Sequence, residues 1–128
     1  MIIIKTIFIN GKFLCQKITG VQRFAIEIVK ELDKIEQNDI VFKIIAPSKE
    51  FQINSLSLKN IEIIYTKGKP GYYWEQFKLS KYCKKNRPGD LINFCNIAPI
   101  KYPGSCVIHD LAFVDAPSGL SWKMKLVY

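Results

Sequence analysis

The sequence predicts an open α/β sheet, a core of parallel strands with helices packed against it. Three observations point there. Short β-branched or apolar runs recur near 2–9, 40–46, 61–65, 90–94 and 105–108. Segments of helical periodicity separate the first run from the second and the third from the fourth, and strands alternating with helices build parallel βαβ units. The first run is apolar at nearly every position, which is how a strand covered on both faces reads.

The elements follow in order. Ile2, Ile3, Ile4, Ile7, Phe8 and Ile9 form the first strand, interrupted by Lys5. No small-residue cleavage site follows, so the run is read as a buried strand and not as a signal peptide. A polar loop leads to Val21, Phe24, Ala25, Ile28, Val29, Leu32 and Ile35, spaced as one face of a helix. Thr19 and Gln22 resemble a capping box, which starts that helix near Gly20. The predicted helix covers 20–37 and packs on the sheet through Phe24, Ile28 and Leu32, with Asn38 and Asp39 stopping it. Pro47 ends the second strand, and 48–58 reads as a loop or a short irregular helix. After the third strand, Lys67-Gly68-Lys69-Pro70-Gly71 is a turn signal. Tyr73, Trp74, Phe77, Leu79, Tyr82 and Cys83 lie on a second helix. Its last turn is rich in cations, as the helix dipole favours, and Pro88-Gly89 ends it. Leu120, Met124, Val127 and Tyr128 again have helical spacing, with Ser121 as a cap. That helix is still running at the last residue, so the chain reads as a domain cut from a longer protein. An apolar edge is expected around Trp122, Met124 and Val127.

Composition narrows the function classes. The 128 residues suit one domain, and 48% hydrophobic with 23% charged residues is ordinary for a globular protein. No apolar run approaches the roughly 18 residues of a membrane span. The formal net charge is +8. It favours anionic partners: nucleic acid, phosphorylated substrates or acidic lipid. The four cysteines, Cys15, Cys83, Cys95 and Cys106, form no C-x-x-C pair, and there is one histidine. Four-ligand zinc spacing is therefore absent; three of the four cysteines lie in apolar stretches and read as small hydrophobes, which fits a reducing cytosol.

Ligands of open α/β sheets bind beyond the carboxyl ends of the strands, so three strand ends matter. After the first come Asn10-Gly11 and Thr19-Gly20-Val21-Gln22-Arg23. Free backbone N–H groups at a helix start make an anion site, and Arg23 can add a bidentate phosphate contact. The competing reading is a plain loop and cap with a surface arginine. No G-x-G-x-x-G and no phosphate-binding P-loop pattern occurs, which removes most support for a nicotinamide or flavin enzyme. After the last strand comes His109-Asp110. Either His109 hydrogen-bonds a sugar hydroxyl or a developing charge, with Asp110 orienting it or touching substrate, or both are structural. After the fourth strand, Asn96 either reads hydroxyls or forms a turn. Lys78, Lys81 and Lys85 share a helix face that meets phosphates, an anionic membrane or only water. Tyr72, Tyr73 and Trp74 stack on a sugar, dock at a membrane interface or fill the core.

Four stretches then carry a family resemblance. They are Asn10-Gly11-Lys12-Phe13-Leu14 with Thr19-Gly20-Val21-Gln22-Arg23-Phe24-Ala25; Gly71-Tyr72-Tyr73-Trp74-Glu75-Gln76; Leu91-Ile92-Asn93-Phe94-Cys95-Asn96 with Ala98-Pro99; and Val107-Ile108-His109-Asp110-Leu111-Ala112-Phe113. In this order the chain resembles the amino-terminal half of a family 4 glycosyltransferase, near the mannosyltransferases of bacterial surface polysaccharide assembly. The resemblance implies a Rossmann-like open parallel sheet, one half of a glycosyltransferase B fold. Residues 1–128 would be the acceptor-side domain, with the donor-binding carboxyl-terminal domain lying outside them. It implies transfer of a sugar from a nucleotide-sugar to a glycan or lipid-linked acceptor with retention of configuration. No metal and no cofactor take part, the nucleotide-sugar being a co-substrate. Gly20, Val21 and Arg23 would approach the donor diphosphate, Asn96 and Asp110 would contact substrate, and His109 would stabilise the oxocarbenium-like transition state. The implied location is cytoplasmic, with peripheral contact to the anionic inner face of a membrane. Two rivals stand beside this: a non-catalytic remnant that keeps only vestigial contacts, and a nucleic-acid module. The second rests on charge alone, because no recognition signature or basic arm is present.

Overall fold

The computed structural model describes residues 4–35, 39–95 and 97–107. Five strands, β1 (Lys5–Asn10), β2 (Ile40–Ala46), β3 (Glu62–Tyr65), β4 (Asp90–Asn93) and β5 (Ser105–Cys106), form one sheet in the order β3-β2-β1-β4-β5. Every neighbouring pair is parallel. This is the α/β, Rossmann-like open sheet that the alternating pattern predicts. β1 is central, so its residues face a layer on each side. Ile9 and Ile44 point into one core with Phe13, Leu14, Ala25 and Val29. Phe8, Ile45 and Leu91 point into the other with Trp74, Leu79 and Cys83. The period of two along each strand sorts a continuous apolar run onto two faces.

Helix α1 (Gly20–Lys34) covers the first face. The capping box forms: Gln22 Oε1 accepts from the Thr19 backbone N–H at 2.9 Å. The packing line differs from the expected one. Ala25, Ile26, Val29 and Asp33 are the buried residues of α1, while Ile28 and Leu32 pack partly buried beside them. Phe24 is 37% exposed and meets Phe94 edge-on, with ring centroids 6.3 Å apart. The reason is closeness. Ala25 and Val29 are fully buried, and small side chains let the helix settle on the sheet, leaving larger ones to flank the contact. Helix α1 is bounded at Lys34, inside the predicted limit of 37, and its C-terminal N–H contact is Ile35 N to Leu32 O.

Asp33 closes this layer. Its carboxylate accepts the backbone N–H groups of Lys59, Asn60 and Ile61, each at 2.8 Å, and so fixes the entry into β3. The stretch between β2 and β3 is otherwise irregular, with one 3-10 turn at Lys49–Phe51. Asn54 ties it down by donating to Phe13 O and Gln16 O, both at 2.8 Å.

On the other face, a helix wound with π-type bonds over Trp74–Leu79 runs into α2 (Ser80–Asn86). The wide turn is compatible with three successive buried side chains, Trp74, Glu75 and Gln76. Trp74 is a core residue, 1% exposed, with its Nε1–H donated to Thr66 Oγ1 at 2.8 Å. Tyr72 and Tyr73 are exposed. The three neighbouring aromatics thus divide between interior and surface. The strands predicted at 2–9 and 105–108 are Lys5–Asn10 and Ser105–Cys106, with Ile4 and Val107 outside them and 2–3 and 108 outside the described residues. The helix expected near 120–128 and its apolar edge lie outside the described residues.

Candidate functional site at the topological switch point

From β1 the chain winds outward through β2 and β3, then returns to the other side of β1 as β4 and β5. The connections from β1 and β4 therefore leave in opposite directions, and a crevice opens at their carboxyl ends. The residues at those two ends are Asn10 and Asn93, and both are buried. Asn10 Nδ2 donates to Asn93 Oδ1 at 2.9 Å and to Glu75 Oε2 at 2.8 Å. Asn93 Nδ2 in turn donates to Pro103 O at 2.8 Å and Ser105 O at 3.1 Å. Two strand ends, the π-wound helix and the approach to β5 are thus joined through one pair of amides.

Lys12 completes the cluster. Asn10 caps the 3-10 turn Gly11–Cys15, accepting Lys12 N–H on Oδ1 at 3.1 Å. The turn lies close on β2. A Cβ on Gly11 would come within 2.6 Å of Ile44 Cγ2 and Ile45 O, so only glycine lets the chain fold back here. This placement brings Lys12 Nζ to 3.3 Å from Glu75 Oε1. The Glu75 side chain is 3% exposed and that of Lys12 16%. Burial pushes the Glu75 carboxyl above the ordinary glutamate value, and it outweighs the Lys12 charge and the Asn10 hydrogen bond that pull the other way.

A cleft of about 210 Å³ opens over this cluster, bordered by Lys12 and Glu75 on one side and by Thr19, Val21 and Gln22 on the other. Cys95 also lines it. Burial, then the Glu75 charge, raise its thiol to about 11, so it is an uncharged wall and not a nucleophile. The cleft thus offers a carboxylate acceptor, an ammonium donor and the start of a helix. Such a set suits hydroxyl-rich ligands, which present donors and acceptors on neighbouring carbons.

The predicted site residues separate. Val21 borders the cleft. Gly20 is exposed at the first position of α1, with open space where a Cβ would project. Arg23 points elsewhere, into a groove of about 320 Å³ shared with Glu27, Lys30 and Asn54. His109, Asp110 and Asn96 lie outside the described residues. Lys12, Glu75, Asn10 and Asn93 were not singled out as site residues from sequence. A usable signal existed: two amides end apolar strands, and one carboxylate interrupts an aromatic helix. Among the described residues no cluster of histidine, cysteine or carboxylates is built to hold a metal, and no helix is long and apolar enough to cross a membrane.

Compared with family models, curated proteins and solved structures, the chain matches none of them.

Proposed function

We propose that the chain is the acceptor-side domain of a retaining glycosyltransferase, which moves a sugar, mannose being the leading candidate, from a nucleotide-sugar to a glycan or lipid-linked acceptor. One observation carries the reading. Three of the four stretches that bear the family resemblance converge on a single cleft at the switch point, around the buried Glu75. A carboxylate raised by burial and held by an amide and an ammonium is costly to the fold and suited to ligand binding. In this reading Glu75 accepts an acceptor hydroxyl, Lys12 donates to its neighbour, and Asn10 and Asn93 keep the carboxylate in place. The start of α1 faces the donor phosphates with free N–H groups. The role that the resemblance gives His109 is to stabilise positive charge on the transferred sugar as the glycosidic bond to the leaving phosphate breaks.

The test is saturation-transfer NMR with manno-oligosaccharides and a panel of nucleotide-sugars. Oligosaccharide binding weakened roughly tenfold by Glu75→Gln supports the reading, on the scale of one hydrogen bond to a charged group. A folded chain that binds neither glycan nor nucleotide-sugar overturns it.

A further inference from the structure

A second groove opens at the other end of β1 from the cleft. Its volume is about 520 Å³, and it shares no lining residue with the cleft. The rise of a strand puts Lys5, at this end, roughly 16 Å from Asn10 at the other. The floor is the sheet: Thr6 and Phe8 of β1, Lys43 of β2 and Ile64 of β3. Phe8 and Lys43 are paired across the two strands, so Lys43 rises on the same face as Phe8. The wall is the end of α2, where Tyr82 and Arg87 border the groove. The Tyr82 ring lies 5.6 Å from that of Phe8.

Two of the cations are set by unusual backbone. Arg87 is the one non-glycine residue with positive φ among the described residues, at φ 46° and ψ 62°. Its N–H donates to Cys83 O at 2.8 Å and closes α2. That left-handed position is most often glycine, because a Cβ is strained there. A glycine stands two residues later with a different task. A Cβ on Gly89 would come within 2.5 Å of Lys5 Cε and 2.7 Å of Lys5 Cγ. The Lys5 stem therefore lies flat across Gly89, whose N–H donates to Thr6 O at 2.6 Å. Among the described residues neither Lys5 nor Arg87 has an ion-pair partner. Lys43 has Glu62 at 3.8 Å, a long and exposed pair that contributes little. Lys5, Lys43 and Arg87 thus line the groove, and no carboxylate lines it with them.

We propose that this groove binds a compact polyphosphate, free or as the triphosphate of a nucleoside. Three cations match a multiply charged group, whereas a carboxylate or a single phosphate leaves part of the charge unanswered. Arg87 supplies a bidentate fork, and the two lysines supply point charges. Tyr82 and Ile64 give apolar surface beside the charges, on which the base of a nucleoside form rests. The volume is that of a small-molecule site. Strain at Arg87 agrees with this assignment, since a strained residue persists where its side chain is used. The inference holds whether or not the chain transfers sugars.

The experiment is isothermal titration calorimetry with tripolyphosphate, adenosine triphosphate and inorganic phosphate, without divalent metal, at roughly 0.1 M salt. Tripolyphosphate should bind one to one, about 25-fold more tightly than inorganic phosphate, at roughly fivefold for each further ion pair. Lys5→Gln with Lys43→Gln should weaken it about 25-fold on the same scale. Arg87→Gly should weaken it about fivefold and yet raise the urea midpoint, because glycine relieves the left-handed cap. Lys30→Gln with Lys34→Gln removes the same charge from α1, on the other face of the sheet, and should change binding less than about twofold. Lys12→Gln, in the cleft, should do as little. Equal affinity for the two polyphosphates assigns the free anion, and tighter binding of adenosine triphosphate that Tyr82→Leu abolishes assigns the nucleotide; either supports the site. Circular dichroism establishes that each variant is folded; should the lysine pair unfold, Arg87→Gly still decides. The proposal is overturned by no binding of either polyphosphate, by inorganic phosphate binding as tightly, or by equal loss in the α1 pair. Loss with Lys12→Gln places the anion in the cleft and overturns it too. So does Arg87→Gly with unchanged binding or a lowered urea midpoint, or a single-stranded oligonucleotide that binds more tightly than both polyphosphates.

Discussion

Glu75 shows how one residue bears opposing demands. Its folded pKa lies above the ordinary glutamate value of 4.5, because desolvation outweighs Lys12 and Asn10. The unfolded chain thus loses that proton first as pH rises. Ionisation then favours unfolding, so stability falls from the region of 4.5 up to the folded pKa and is level beyond it. Glu75→Gln removes this term. The melting temperature of the variant relative to wild type should therefore rise as pH is raised above 4.5 and level off past the folded pKa. A difference that stays constant across that range would mean the carboxylate is not penalised by burial. Gly11 is constrained in another way. Gly11→Ala drives a methyl into Ile44 and the Ile45 carbonyl. It should cost about 2–3 kcal/mol in urea unfolding, the scale of an overpacked core. It should also weaken ligand binding at the cleft, since Lys12 rides on the same turn.

At the scale of elements, Asp33 joins helix to strand. Burial raises its pKa, but the three backbone N–H groups of Lys59, Asn60 and Ile61 win, and the carboxyl is held below its ordinary 3.8. The sign is opposite to that of Glu75. The stabilisation is complete above the unfolded value and is lost as pH falls through the depressed folded value. Asp33→Ala strands three donors beside the core and should cost about 2–4 kcal/mol by chemical denaturation at neutral pH. The cost should shrink below about pH 3. Asp33→Asn, which keeps acceptor capacity on one oxygen, should recover part of the loss. An unchanged midpoint for Asp33→Ala would show that the loop before β3 is held by Leu56 and Leu58 against the core instead.

For the whole molecule, the described residues provide one α/β sheet and one wall of a crevice. Group transfer needs donor and acceptor held in attack geometry, and a single wall cannot hold both. Under the proposed reading, the purified 128-residue chain is therefore expected to show no sugar transfer when assayed with labelled nucleotide-sugars and manno-oligosaccharides. Robust turnover, free of contaminating enzyme, would refute this. Under the proposed reading, in the complete enzyme His109→Ala should lower kcat more than it raises KM, by roughly 2–4 kcal/mol of transition-state stabilisation.

The sequence alone determined the layers. The apolar runs, the 3.6-residue period after Gly20 and the Thr19–Gln22 cap are local signals, and they led to parallel strands, α1 and its start because local chemistry dictates them. The identity of the core residues was only half legible: periodicity marked the face of α1 but ranked Phe24 with the interior, since side-chain size does not tell how close a helix approaches a sheet. The cleft was less legible still. Glu75 lies 65 positions from Asn10 and Asn93 lies 83 from it. Only the strand order, with β1 and β4 adjacent at the switch point, brings them within hydrogen-bonding distance. The same separation decided Arg23, which shares a helix with Val21 yet points into another groove. A helix turn rotates two residues onto different sides, and which side meets the crevice is set by the packing of the whole sheet. Tertiary structure also decided which aromatics face solvent. Trp74 looks like its neighbours in sequence, but burial against β1 and β2 takes it inward and leaves Tyr73 and Phe77 outside, where Lys101, brought in by the loop after β4, lies over the Phe77 ring.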